Sequence, residues 1–321
     1  MNVTILDDYL DIVRTLPCFA GLAGHRVTVH TTPAAGIDEL AERLRDTEAL
    51  LLFRERTRIP GALVARLPRL RLISLVGPVP HVDLAACAEH GVTVCSRVVT
   101  ERPSYATAEL TWGLLLAAWR RIPQEMAYLR AGGWQSPHAT GRQLHGRMLG
   151  ILGFGRIGAL VAGCGRAFGM QVRVWGRSGS LERAAAQGFE VAASESELFT
   201  GSDVVSVHLA LTPQTQGAVR REHLALMRPE ALFVNTSRAG LVAPGALLEA
   251  LQAGRPGAAA VDVFDEEPVL GARDPLLALP NVVATPHLGY VTREGLDAMF
   301  ATMIDQIGAF ERGAPIHVVS A

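Results

Sequence analysis

Short apolar runs alternate with helix-length amphipathic stretches along nearly the whole chain. Residues 3–6, 27–30, 49–53, 71–76 and 92–95 are apolar or β-branched runs of strand length. Between them, 37–45, 61–66 and 84–90 read as short helices or turns. The alternation predicts parallel strands joined by crossover helices, since a parallel sheet is covered on both faces and its strands are apolar throughout. A long helical segment over 104–120 leads into a Gly-, His- and polar-rich stretch at 131–146, a bridge to a second unit. There the pattern resumes, with a strand from 148, a helix over 159–168 and strands at 172–175, 203–209, 231–235, 257–263 and 281–285. A last amphipathic helix over 291–311 and a short closing segment at 315–319 complete it. There is no short-period repeat and no low-complexity tail. Two doubly wound α/β units fit this order.

Length agrees: 321 residues at about 150 per domain give two domains, each able to bury a core. Composition narrows the chemistry. All 30 basic residues are arginine, so no mechanism can rest on a Schiff-base, pyridoxal-phosphate or P-loop lysine. With a formal charge of −1 and no basic run, no nucleic-acid partner is expected. Cys18, Cys87, Cys95 and Cys164 are far apart without zinc spacing, and the histidines show none either. No metal is expected, and the thiols read as free in a reducing cytoplasm. The N-terminus reads as a strand ending in Asp7 and Asp8, not as a signal peptide, and the apolar stretch 110–119 is too short to span a bilayer. A soluble cytoplasmic protein without a membrane partner is the expectation.

The most informative residues open the second unit. Met148-Leu-Gly-Ile-Leu runs directly into Gly153-Phe154-Gly155-Arg156-Ile157-Gly158, and a helical segment follows. In a strand–loop–helix context these glycines divide the work: Gly153 makes the tight turn, Gly155 lets backbone approach a pyrophosphate, and Gly158 lets helix and strand pack closely. The helix N-terminus then offers N–H groups and a positive dipole to the phosphates.

In doubly wound sheets ligands bind outside the carboxyl ends of the strands, so the polar residues there carry the chemistry. Thr236-Ser237-Arg238 follows one strand, Asp262 and then Glu267-Pro268 another, and Pro286-His287-Leu288-Gly289 a third. An arginine, a glutamate and a histidine thus follow separate strands on the edge that holds the Gly-rich loop.

Over nearly its whole length the sequence resembles the D-isomer-specific 2-hydroxyacid dehydrogenases, particularly the glyoxylate/hydroxypyruvate reductases. The resembling pieces are Leu149-Gly-Ile-Leu-Gly153-Phe-Gly155-Arg-Ile-Gly158, Val234-Asn-Thr-Ser-Arg238, Val261-Asp262-Val-Phe-Asp-Glu-Glu267-Pro268 and Thr285-Pro286-His287-Leu-Gly289. The resemblance implies that Arg238, Glu267 and His287 are the catalytic residues. It also implies a Rossmann cofactor domain (99–291) inserted into a flavodoxin-like substrate domain built from both chain ends (1–98 and 292–321). A homodimer formed through the cofactor domains is implied as well. Asp262 resembles the family's carboxamide-binding aspartate, His208 is placed near the cofactor through its backbone, and Thr236, Ser237 and Gly289 fall in the cofactor-binding motifs.

The residue types suit that reaction. Reduction of a 2-oxo acid needs a hydride donor, a proton donor for the carbonyl oxygen and a cationic clamp for the carboxylate. Arg238 suits the clamp through its planar fork. A histidine such as His287 suits acid–base work near neutral pH, and a glutamate bonded to it stabilises the imidazolium.

Two places depart from the family pattern. An NAD-specific site carries Asp or Glu after the second strand, about 20 residues past the loop, for the ribose 2′-OH. Here Gly176 holds that position and Arg177-Ser178 follow, so NADP(H) is expected, with NAD(H) or dual use as the alternative. The substrate loop reads Val76-Gly77-Pro78-Val79-Pro80-His81; its prolines have no N–H, and Gly77 is the leading donor to a substrate carboxylate. Arg54, in the run Arg54-Glu-Arg56-Thr-Arg58, and Tyr290, just past His287, are further substrate candidates. The expected function is hydride transfer between NADPH and a small 2-oxo acid such as glyoxylate or hydroxypyruvate. A 3-phosphoglycerate dehydrogenase-like enzyme and a non-catalytic dinucleotide-sensing protein are the alternatives.

Overall fold

A computed structural model describes residues 1–97 and 105–319. Chain contacts divide it into two compact units, Met1–Arg102 with Thr292–Ala321, and Pro103–Val291. The expected boundary at 98/99 and the expected helix start at Ser104 lie outside the described residues, as do Ser320 and Ala321.

The first unit begins β1 (Asn2–Ile5), β2 (Arg26–Val29), α1 (Ile37–Leu44), β3 (Ala49–Leu51), α2 (Gly61–Val64), β4 (Leu72–Val76), α3 (Leu84–Glu89) and β5 (Thr93–Arg97). Its five strands pair in parallel in the order β2-β1-β3-β4-β5. The burial follows from the sequence: Ala49, Leu50 and Leu51 are all fully buried, as central parallel strands require, whereas β2 at the edge keeps Arg26 and Thr28 exposed. One face packs Leu44, Leu50, Leu63, Ile73 and Leu75 together.

The second unit contains α4 (Tyr105–Trp119), α5 (Ile122–Arg130), β6 (Met148–Leu152), α6 (Arg156–Ala167), β7 (Gln171–Trp175), α7 (Ser178–Ala186) and β8 (Glu190–Val191). It continues with α8 (Glu195–Gly201), β9 (Val204–Val207), α9 (Arg221–Leu226), β10 (Leu232–Asn235), α10 (Ala246–Gln252), β11 (Ala258–Val261) and β12 (Val282–Ala284). All seven strands are parallel, in the order β12-β11-β10-β9-β6-β7-β8. Strand β6 therefore lies between β7 and β9, and the loop leaving it sits where the winding reverses direction. Trp112, Leu115, Ile151, Val161 and Val174 fill one face of this sheet; Phe199, Val207, Leu224, Phe233 and Leu251 fill the other.

The final helix, α11 (Arg293–Glu311), returns to the first unit. Phe300 packs edge-on against Phe53 at 5.4 Å, and the buried Gln306 accepts the Ser74 hydroxyl at 2.5 Å. Each strand expected from the pattern is present within one or two residues. Helix α5 was not expected, and the closing segment makes an antiparallel bridge, Val318 to Cys95. Among the described residues no helix is long and apolar enough to cross a membrane.

Candidate active site

The Gly-rich loop follows β6 into α6. Gly153 has φ +96°, and its N–H donates to the Trp175 carbonyl at 2.8 Å. A side chain there would meet the His208 carbonyl at 2.9 Å. A Cβ on Gly158 would lie 2.2 Å from the Gly153 carbonyl oxygen, so α6 approaches the loop as only glycine allows. At Gly155 a Cβ would meet nothing within 4 Å, and no side chain caps the start of α6 at Arg156 and Ile157. Phe154 is buried against Phe189. Open space before an uncapped helix N-terminus fits a dinucleotide pyrophosphate.

Three residues expected at the cofactor have their polar groups committed within the protein. His208 donates its N–H to Leu152 at 2.8 Å because β9 continues its ladder beside β6, so that donor is not free for a ligand. Its buried ring bonds Ser206 through Nε2 at 2.8 Å, and burial pushes its pKa down to about 4, keeping it neutral. The Thr236 hydroxyl pairs with Thr111 at 2.7 Å, and the Ser237 hydroxyl donates to the Val207 carbonyl at 3.0 Å. Arg177 and Ser178 are exposed at the start of α7, and the Arg177 side chain has no partner among the described residues.

Beyond β11 and β12 the side chains interlock. Asp262, fully buried, accepts the Thr285 hydroxyl at 2.6 Å and Leu288 N–H at 2.7 Å on one oxygen, and Gly289 N–H at 2.8 Å on the other. Burial raises its pKa, against these three donors and the nearby His287. The expected cofactor ligand Asp262 is thus first the anchor of the His287 loop. Glu267 accepts Phe264 N–H at 2.9 Å on Oε1, and its Oε2 lies 2.6 Å from His287 Nδ1. Burial tends to raise the Glu267 pKa, but the His287 hydrogen bond and charge, the Phe264 N–H and the Arg238 charge together hold it below the ordinary range. An ionised carboxylate only accepts, so Nδ1 carries a hydrogen and Nε2 is the ring nitrogen left for chemistry. The Tyr290 ring stands edge-on to His287 at 5.6 Å.

Arg238 follows β10 in a loop held by Asn235, whose side chain accepts Ser237 N–H at 3.0 Å and donates to the Arg238 carbonyl at 2.9 Å. The Arg238 guanidinium donates to the Ser237 carbonyl at 2.8 Å. Helix α4 fastens both loops: the Thr107 hydroxyl donates to the Gly289 carbonyl at 2.7 Å and Thr111 meets Thr236. Sequence reading missed Asn235, Thr285, Thr107 and Thr111 as positioning residues. Two threonines four apart on a helix were the available signal for the last pair.

In the first unit, Gly77 N–H donates to the Arg97 carbonyl at 3.1 Å and its own carbonyl accepts the Ser96 hydroxyl at 2.5 Å. The expectation that this N–H is free for a carboxylate is corrected, because the ladder to β5 runs one residue beyond β4. The N–H groups of Val79 and His81 have no partner among the described residues, and Val76 ends the strand. Both His81 ring nitrogens are buried without a partner among the described residues, and burial lowers its pKa against the opposing Glu55 charge. Arg56 is held over the Phe53 and Tyr9 rings and donates to the Asp7 carbonyl, whereas Arg54 lies 3.4 Å from where a Gly77 Cβ would be.

Comparison with known proteins fits this geometry. The family pattern described as D-isomer specific 2-hydroxyacid dehydrogenase, NAD binding domain, matches residues 112–289. A glyoxylate reductase of Aeropyrum pernix is 37% identical over 286 residues, 86% of this chain and 83% of that protein. A D-3-phosphoglycerate dehydrogenase of Methanocaldococcus jannaschii is 38% identical over 277 residues, but the chain spans only 52% of its length. The crystal structure of a phosphoglycerate oxidoreductase from Vibrio cholerae has 44% identity and a TM-score of 0.93, covering 98% of this chain and 100% of that one. The chain belongs to the D-isomer specific 2-hydroxyacid dehydrogenase family.

Proposed function

We propose that this chain reduces a small 2-oxo acid, such as glyoxylate or hydroxypyruvate, to the D-2-hydroxy acid, with NADP(H) preferred to NAD(H). The 2.6 Å pairing of Glu267 with His287, beside the Arg238 charge, carries the reading. When bound, the nicotinamide supplies the hydride to C2. Residues 99–291 hold the dinucleotide and residues 1–98 with 292–321 bind substrate. Glu267 holds the His287 ring through Nδ1, and His287 gives its Nε2 proton to the carbonyl oxygen as that oxygen gains charge. Arg238 offers a forked pair of donors to the substrate carboxylate, and Arg54, Val76, Gly77 and Tyr290 are the further candidate substrate residues. The cofactor preference rests on Gly176: no carboxylate repels a 2′-phosphate there, and Arg177 and Ser178 offer a charge and a hydroxyl.

The chain is proposed to work as a homodimer in the cytoplasm. Helix α5 buries none of its residues, and Ile122, Met126, Leu129 and Trp134 are 43%, 46%, 53% and 82% exposed, apolar area suited to a second copy. Loss of the dimer in a Trp134→Ser, Leu129→Ser variant, followed by sedimentation, tests that surface.

Consumption of NADPH and of NADH, each with glyoxylate, hydroxypyruvate, 3-phosphohydroxypyruvate and bulkier 2-oxo acids, tests the function. Faster turnover of the short acids with NADPH is expected. Preference for the phosphorylated acid instead selects the 3-phosphoglycerate dehydrogenase reading, favoured by the names of several relatives and by Arg54 beside Gly77. Tight nucleotide binding without turnover of any acid selects the dinucleotide-sensing reading.

A further inference from the structure

The surroundings of Gly176 contain a second arginine that the sequence reading did not use. A Cβ on Gly176 would lie 3.6 Å from the Gly153 Cα and 3.6 Å from the Ser180 Cβ, so the gap left by the missing carboxylate opens between the Gly-rich loop and the first turn of α7. Arg183, on the next turn, folds back over that turn. Its NH2 donates to the Phe154 carbonyl and to the Ser180 hydroxyl, each at 3.1 Å. Its NH1 lies 3.7 Å from where a Gly179 Cβ would stand. Both NH2 hydrogens are thereby used, and the NH1 and Nε hydrogens remain to donate.

We propose that Arg183 is a specificity-determining residue for the nucleotide, donating to a 2′-phosphate from beside Gly176. The proposal rests on the NADP(H) reading above and assigns it to a different side chain. Arg177 is exposed and without a partner among the described residues, so it must be ordered when an anion arrives. Arg183 is already fixed by two hydrogen bonds, one of them to the loop that receives the dinucleotide, so less freedom is lost on binding. The absence of a side chain at Gly176 matters twice over: a carboxylate there would repel the phosphate and would also compete for the free edge of Arg183.

Calorimetric titration with 2′,5′-ADP and with 5′-AMP, which differ only in the 2′-phosphate, tests this without turnover. In Arg183→Met, affinity for 2′,5′-ADP is expected to fall about tenfold or more, while that for 5′-AMP changes by less than about twofold. Arg183→Gln, which keeps an N–H for the Phe154 carbonyl but no charge, is expected to do the same, and covers the case in which the Met variant misfolds. An equal loss for both nucleotides would make Arg183 only a prop for the loop and overturn the proposal. An unchanged preference for 2′,5′-ADP in both variants would also overturn it, leaving the NADP(H) reading with Arg177. If the wild-type chain itself prefers 5′-AMP, the NADP(H) reading fails, a pattern visible before any variant is made.

Discussion

Asp262 and Gly289 are joined across two strand ends by a hydrogen bond of 2.8 Å, and the carboxylate that accepts it has no exposure to solvent. The bond fixes the chain two positions beyond His287, so the ring's placement depends on a buried anion at another strand. Asp262→Asn turns one acceptor oxygen into a donor facing an N–H group. Chemical denaturation is expected to show a loss of about 1–3 kcal/mol. The kcat should fall as well, because the His287 loop loses its anchor. Unchanged stability together with unchanged kcat would contradict the anchoring role.

The Glu267–His287 pair makes a prediction about pH. The folded state holds the Glu267 pKa below its ordinary value, so the pair's stabilisation is fully present above the unfolded-state value of about 4.3 and is lost as pH falls through the lower, folded-state value. Between pH 7 and 3 the wild type should therefore lose stability relative to Glu267→Gln, whose amide does not titrate. In the same variant kcat should also fall, since the His287 ring loses the carboxylate that orients it through Nδ1.

His287→Ala should lower kcat by several orders of magnitude while NADPH affinity, measured by fluorescence titration, stays near the wild-type value. A parallel loss of nucleotide affinity would give this histidine a binding role instead.

The glycines of the dinucleotide loop should separate by mutation. Gly158→Ala forces a Cβ to 2.2 Å from the Gly153 carbonyl and should lower both the melting temperature and nucleotide affinity. Gly155→Ala meets no protein atom, so the melting temperature should hold while affinity for the pyrophosphate-bearing cofactor drops. Equal destabilisation of the two would be inconsistent with this packing.

Arg177→Ala should raise KM for NADPH more than for NADH, because a 2′-phosphate is the only part of the two nucleotides that differs. Steady-state kinetics with both cofactors measures this directly, and equal effects would remove Arg177 from cofactor discrimination.

The strands were legible because their burial on both sheet faces demands unbroken apolar runs, as in Ala49–Leu51. Helix α5 was not, since its apolar residues face outward and make no core-facing stripe. At the candidate site, Arg238, Glu267 and His287 could be picked out because each follows a strand, but their spacing could not. Glu267 and His287 are 20 positions apart and meet only because β11 and β12 are neighbours. The reassigned Gly77 donor was hidden for a related reason: how far a ladder runs beyond its strand depends on the partner strand.

Thr107 and Thr111 give α4 a further consequence. Four residues on a helix advance about 6 Å, so one helical turn acts as a ruler that sets the distance between the loop bearing Arg238 and the loop bearing His287. Loops elsewhere in the second unit can lengthen without disturbing that interval, but one residue inserted between positions 107 and 111 would rotate the second hydroxyl by about 100° around the helix axis and lose one of the two marks. An insertion can therefore disturb the catalytic loops from within a helix that supplies none of the reacting groups.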